Sequence, residues 1–197
     1  MLPAMILNKS KATPLRFLHN YKSGLIIIFV FYSFISVANS EEQTDLTTSE
    51  NRLKPIKVDV TTHLGDKQTF LKGDSISFLL SLDADAYLLA IYEDASGSLT
   101  QIIPNKQFSK TFYKAGLFIT LPDENAAFNF KVQAPFGKET LWVYASDVPL
   151  PEIEGRHLEN GLKQLEQDII SIKRLILNHK QTAFGETSLE IHTKDNN

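Results

Sequence analysis

Between residues 56 and 146 the chain repeats one pattern: short runs alternating apolar and polar side chains, cut at intervals by Pro, Gly, Asn and Asp. Successive side chains of a β-strand point to opposite faces, so alternation with period two marks strands that bury one face. Ile56, Val58 and Val60 alternate with Lys57, Asp59 and Thr61, and Ile76, Phe78 and Leu80 alternate with Ser75, Ser77, Leu79 and Ser81. Tyr87, Leu88, Leu89, Ala90, Ile91 and Tyr92 form a continuous apolar run instead, which predicts a central strand covered on both faces. The turn chemistry of Asp94, Ala95, Ser96 and Gly97 predicts a hairpin whose second arm spans residues 99–103. Further strands are expected over residues 117–121, 128–134 and 140–146, with Pro122, Asn125, Pro135 and Gly137 in the separators. Short strands at this spacing predict an all-β fold: an antiparallel β-sandwich, immunoglobulin-like or similar, or a partly open barrel.

After residue 154 the period changes. Leu158, Leu162, Leu165, Ile169, Ile172 and Ile176 follow one another at steps of four and three, which predicts one late amphipathic α-helix over residues 156–180. Packed against the domain's own sheet it completes the core; left open it offers a surface for a homodimer or another partner. Asn160 and Gly161 either start this helix or loosen its first turn. Gly185 is expected to end the helical segment, and renewed alternation over residues 188–193 predicts a final strand that returns to the sheet. The expected domain runs over residues 55–193, with 194–197 as a tail.

The N-terminus sets the compartment. Lys9, Lys11, Arg16 and Lys22 precede an apolar run of fifteen residues, 24–38, and Ala38 and Ser40 supply small side chains before Glu41 and Glu42. Basic region, apolar region and small-residue cleavage site, in that order, describe a secretory signal peptide over residues 1–40, cleaved after Ser40. Fifteen residues fall short of the roughly 20 that cross a bilayer as a helix. An uncleaved segment would leave an N-terminal membrane anchor, and translation starting at Met5 rather than Met1 would shorten the basic region. In both cases a periplasmic or secreted location is expected for the rest, with no transmembrane segment after cleavage. Residues 41–54 are polar and without period, as in a disordered leader.

The whole chain carries 20 basic and 23 acidic side chains; without the four basic residues of the signal the balance is 16 against 23, a net charge of −7. Such a domain repels nucleic-acid backbones and anionic lipid, so nucleic acid is not an expected partner. Cysteine is absent, which excludes disulfides, a lipidated cysteine and thiolate metal sites.

In order along the chain, Asp85, Tyr87 and Leu88, then Gly97, Pro104 and Asn105, Ala115 and Gly116, Leu121 and Pro122, and Pro135, Gly137 and Glu139 up to Ala145 and Ser146 resemble a bacterial family known as domain of unknown function 4384. The resemblance runs from about Val58 to Ser146, with residues 187–193 similar to the short terminal strand that often follows. It implies an all-β accessory domain of exported or envelope proteins, usually appended to a catalytic or repeat module. This chain shows no appended module, so the resemblance implies a partner on a separate protein.

No motif specifies a chemistry. Lys138 follows a glycine as in a phosphate loop, but the first glycine of that motif would fall at Val132. His19, His63, His157, His179 and His192 include no pair at metal-ligand spacing, and Ser96 and Ser98 flank a hairpin tip rather than a nucleophile elbow. Asp83 and Asp85 stand one strand length from Glu93 and Asp94, so solvated turn carboxylates are expected, with calcium as the alternative. No catalytic residue, cofactor or metal ligand is nominated.

Two features ask for more. Glu139 shares the parity of Leu141, Val143 and Ala145 and therefore enters the apolar face of its strand. A carboxylate there needs donors, expected from backbone N–H groups of the Pro104–Asn105 turn or a neighbouring strand end. The 105–115 interval, with Lys106, Phe108, Lys110, Phe112, Tyr113 and Lys114, is aromatic and locally basic on an acidic domain. It is the candidate partner-binding loop. The expected function is a noncatalytic binding or assembly module of the bacterial cell envelope, engaging another envelope or secreted protein. A small secreted hydrolase and a ligand carrier with a cavity between its sheets are the alternatives.

Overall fold

The computed structural model describes residues 53–65, 69–106 and 109–196. The expected signal peptide and most of the polar leader lie outside them. Fourteen strands and one helix follow in the order β1 (Lys54–Pro55), β2 (Val58–Thr62), β3 (Thr69–Leu71), β4 (Ser75–Ile76), β5 (Phe78–Leu82), β6 (Ala86–Glu93), β7 (Leu99–Ile103), β8 (Phe112–Tyr113), β9 (Ile119–Leu121), β10 (Phe130–Lys131), β11 (Lys138–Ser146), β12 (Gly155–His157), β13 (Lys163–Leu165), α1 (Ile169–Leu177) and β14 (Ala183–Lys194).

The large sheet runs β1-β14-β11-β6-β7-β13-β12, with β3 beside β14 and β8 beside β6; a second sheet runs β2-β5-β9, and β4 pairs with β10. Pairing is antiparallel throughout except that β1 and β3 run parallel to β14, at its two ends. The alternation read from the sequence decides which faces meet. Ile76, Phe78 and Leu80 are buried from one side, Leu88, Ala90, Leu141, Val143 and Ala145 from the other, and together they form the core between the sheets. The architecture is a β-sandwich, as the strand spacing predicted.

Central β6 is apolar on both faces because both are covered. Leu88 and Ala90 face the sandwich core, whereas Leu89 and Ile91 face a second core with Tyr144, Ile153, Ile172 and Ile176. The second core lies under α1. Asp168 caps that helix by accepting the Ser171 N–H at 2.8 Å, and Ile172 and Ile176 are the residues it buries.

The expected helix over residues 156–180 is corrected to nine residues. Its first half is the β12–β13 hairpin, which pairs through β13 with the edge of β7. Gly161 sits at φ 85°, a conformation that a helix interior does not contain. The Gly161 N–H reaches the Leu158 carbonyl at 3.0 Å, and Asn160 Oδ1 accepts the Leu162 N–H at 3.2 Å, closing a turn. Leu158, Leu162 and Leu165 still reach apolar surroundings, but from a hairpin. A homodimer face running the length of a 156–180 helix therefore does not exist.

Gly185 does not end a helix; it lies within β14. A Cβ there would stand 2.1 Å from the Ile56 carbonyl oxygen, so the glycine lets the chain leading into β2 cross β14 at backbone contact. The strand expected over 128–134 is confined to β10.

Candidate functional site

The sequence placed its candidate loop at residues 105–115, and the structure divides that interval. Phe108 lies outside the described residues. The Lys106 N–H donates to the Gly161 carbonyl at 2.9 Å, which ties the start of the loop to the β12–β13 hairpin. Phe112 and Tyr113 form β8, and the Phe112 ring packs 5.0 Å from that of Tyr87. Lys114 Nζ lies 2.7 Å from Asp85 Oδ2 and 5.3 Å from the centre of the Phe112 ring. That ion pair, followed by the Ala115 N–H, holds the Asp85 carboxyl below the usual carboxylate range. Lys110 Nζ lies 4.9 Å from the centre of the Tyr113 ring. Burial, and then the charge of Asp123, push the Tyr113 hydroxyl up. Phe112 and Lys114 thus anchor β8 beside β6, and Lys114 also lies beside an opening.

That opening is a groove of about 370 Å³ whose lining includes Lys110, Tyr113, Lys114, Asp123, Glu124 and Phe128. Residues 117–121, expected from the sequence as an ordinary strand, also line it. Leu117 is 60% exposed and Phe118 is 80% exposed, immediately before β9. In its sheet β9 pairs with β5 and, among the described residues, has no strand on its other side. Gly116, at φ 73°, sends the chain into this edge. The candidate surface is therefore shifted towards residues 110–124. The signal for it was the apolar run Leu117, Phe118, Ile119, but local pattern does not separate an edge strand from a central one.

The other family-signature residues serve the scaffold. Pro104, after a cis peptide bond, offers its carbonyl to Gln101 Nε2 at 2.7 Å, and Asn105 Nδ2 donates to the Ile102 carbonyl at 2.8 Å. Pro122 and Pro135 also follow cis peptide bonds, and Tyr87 is the ring partner of Phe112.

Glu139 is buried, as its parity required, but its donors are not the expected ones. Oε2 accepts the Tyr92 hydroxyl and Oε1 accepts the Thr193 hydroxyl at 2.7 Å. Thr193 Oγ1 also accepts the Gly137 N–H at 3.2 Å. The carboxylate links β6, β11 and β14 rather than latching onto the Pro104–Asn105 turn. Burial first, and then the Glu139 carboxylate, push the Tyr92 hydroxyl well above its ordinary value.

The acidic turn residues have backbone and side-chain partners. Asp83 accepts the Lys57 N–H at 2.8 Å, Glu93 accepts Trp142 Nε1 at 2.8 Å, and Asp94 accepts the N–H groups of Ser96 and Ser98 at 2.8 and 2.9 Å. Among the described residues no three His, Asp or Glu side chains converge as a metal set, and no helix is long and apolar enough to cross a membrane.

No curated protein and no solved structure matches this chain. A family model does, over residues 69–149, from β3 to just beyond β11; its description is "Domain of unknown function (DUF4384)". The strands β5 to β11 that build the core, the open edge at β9 and the buried Glu139 all fall inside the matched segment, and the chain carries a domain of the DUF4384 family.

Proposed function

We propose that the chain is a noncatalytic binding module of the bacterial cell envelope, exported by its N-terminal segment, that captures an extended segment of another protein along the free edge of β9. The observation that carries this reading is the combination of an unpaired antiparallel edge with an apolar approach: Leu117 and Phe118 are 60% and 80% exposed beside a groove of about 370 Å³. Open, apolar strand edges template pairing with another chain, and natural proteins usually blunt them with charge or proline. Here β9 carries no charge, the exposed apolar Leu117 and Phe118 lead into it, and Pro122 follows only at its end. A partner strand laid along β9 would gain main-chain hydrogen bonds and send alternate side chains towards the groove. Lys110 in the groove favours acidic positions on that strand, and Asp123 and Glu124 favour basic ones. By comparison α1 offers a partner only the exposed part of a nine-residue helix, Ile170, Leu175 and Leu177.

A photo-crosslinking side chain at position 118, with one at the exposed Lys173 on α1 as control, tests the reading in cells that export the protein. The expected result is a discrete heterologous product from position 118, absent from position 173 and abolished by Leu117→Lys. Products that are dimers of this chain, no product at all, or turnover of an envelope substrate by the purified protein would overturn it.

A further inference from the structure

A second cavity, of about 250 Å³, lies between the 128–135 segment, β6, and the β12–β13 hairpin, and shares its Phe128 wall with the groove beside β9. Three aromatic rings line it: Tyr92, Phe128 and Phe130. They form one cluster, with Tyr92 and Phe130 centred 5.1 Å apart at 45° and Phe128 and Phe130 5.6 Å apart at 90°. Glu139 lines the same cavity and is 7% exposed.

The carboxylate is held but not neutralised. Each oxygen accepts one hydroxyl, from Tyr92 and from Thr193, and neither donor brings a positive charge. None of the ion pairs among the described residues includes Glu139. A buried carboxylate usually sits beside a cation. Lys131, the lining's own cation, is exposed and makes no such pair. Asp94 adds a second acid to the lining, with its Oδ1 taken up by the Ser96 and Ser98 N–H groups.

From three aromatic rings and a buried carboxylate lining one cavity we infer that the cavity binds an organic ammonium group, a monocation carrying apolar substituents. Aromatic faces attract such ions electrostatically, most strongly where water is excluded. Glu139 supplies the opposite charge, and Leu158 and Leu162 supply apolar wall for the alkyl part. Glu139 and Asp94 disfavour an anion. A hard divalent ion needs six to eight oxygens, and among the described residues no three His, Asp or Glu side chains converge as a metal set. A neutral apolar molecule leaves the carboxylate without its counter-charge. At about 250 Å³ the space suits a headgroup or the end of a side chain rather than a drug-sized ligand, for which pockets of about 300 Å³ or more are usual.

A quaternary headgroup and a primary amine share this chemistry, and titration of the 197-residue chain distinguishes them. Choline, butylammonium and the neutral isostere of choline with carbon in place of nitrogen are compared by calorimetry and by the NMR signals of the cavity rings. Saturable binding of at least one cation is expected, with Kd on the order of 1 mM. The neutral isostere should bind roughly tenfold more weakly. A preference for choline assigns the site to quaternary ions, and a preference for butylammonium assigns it to primary amines such as a lysine side chain. Glu139→Gln keeps the shape and should weaken the preferred cation about tenfold; Phe130→Leu should also weaken it. Where Glu139→Gln fails to fold, Phe130→Leu and the comparison of cation with isostere decide the matter. Absence of saturable cation binding, equal affinity for the isostere, or full affinity in the folded variants would overturn the inference. None of these outcomes depends on whether β9 binds a partner strand.

Discussion

Replacing Glu139 with alanine removes the acceptor shared by two hydroxyls, Tyr92 and Thr193, at the centre of three adjoining strands. An orphaned buried donor costs about 1–3 kcal/mol, so two set an upper bound of about 6 kcal/mol. Three structural facts reduce it. Thr193 keeps a weak alternative acceptor in the Gly137 carbonyl at 3.4 Å. Tyr92 lines a cavity of about 250 Å³ in which its hydroxyl can meet water. Deleting the carboxylate also relieves the cost of keeping an acid in a 7% exposed position. About 2–3 kcal/mol remains, which for a domain of this size lowers Tm by roughly 5–10 °C.

Urea unfolding followed by the fluorescence of Trp142 measures the loss, and a double-mutant cycle with Tyr92→Phe isolates the contact. Tyr92→Phe leaves the carboxylate one donor short, and after Glu139→Ala the same substitution removes a hydroxyl that has already lost its acceptor. The two changes should therefore couple by about 1 kcal/mol or more. A Glu139→Ala loss below about 0.5 kcal/mol, the level of an ordinary surface substitution, would refute the reasoning. Strict additivity in the cycle would place the loss somewhere other than the Tyr92 contact.

Three further outcomes follow from particular contacts. Gly185→Ala would put a Cβ 2.1 Å from the Ile56 carbonyl oxygen and 3.0 Å from Val58 Cγ2; a loss above about 2 kcal/mol is expected in thermal unfolding, and a stability equal to wild type would show that the chain leading into β2 does not cross β14 at backbone contact there. Tyr144 is fully buried, and its hydroxyl has no partner among the described residues, so Tyr144→Phe should leave stability unchanged or raise it by up to about 1 kcal/mol, and a loss of that size would reveal a bound water or an acceptor. The small burial of Asp147 acts to raise its pKa, but bonds from the Thr182 hydroxyl and the Ala183 and Thr182 N–H groups outweigh it and hold the carboxyl below its usual value. A group depressed in the folded state stabilises above its unfolded pKa, near 3.9 for aspartate, and loses that contribution as pH falls through the folded value. The urea midpoints of wild type and Asp147→Asn should accordingly differ at neutral pH and converge below about pH 4; a gap independent of pH would show that the charge of Asp147 is not what matters.

Where one element is built from neighbours in sequence, the sequence was enough to read it. Ile76, Phe78 and Leu80 declare an inward face by alternation, the two-faced apolar run of β6 declares a central strand, and Asp94 with Gly97 declares the turn that joins it to β7. Glu139 could be identified as buried from parity alone. Its donors could not, because Tyr92 and Thr193 stand 47 and 54 residues away and meet it only through the pairing of β6, β11 and β14. The candidate surface shows the same limit: the pattern of Leu117, Phe118 and Ile119 fits a strand at any place in a sheet, and the order β2-β5-β9 alone makes it an edge.

The misread segment, residues 156–168, shows why spacing by itself is an incomplete instruction. Steps of four and three between Leu158, Leu162 and Leu165 fit one face of a helix, yet a hairpin with its turn between Leu158 and Leu162 delivers the same leucines to apolar surroundings. Two competing terms separate the alternatives. Gly161 costs a helix interior about 1 kcal/mol relative to alanine, whereas at φ 85° in a turn it costs little. The edge of β7 away from β6 also offers backbone groups that a helix could not satisfy and β13 does, pairing Lys163 with Gln101 and Gln164 with Thr100. Ile169, Ile172 and Ile176 have no glycine among them, and with Asp168 as a cap they keep the helical reading. The hydrophobic period thus states which residues must be buried. The positive-φ glycine and the open edge of β7 decide whether a helix or a hairpin buries them.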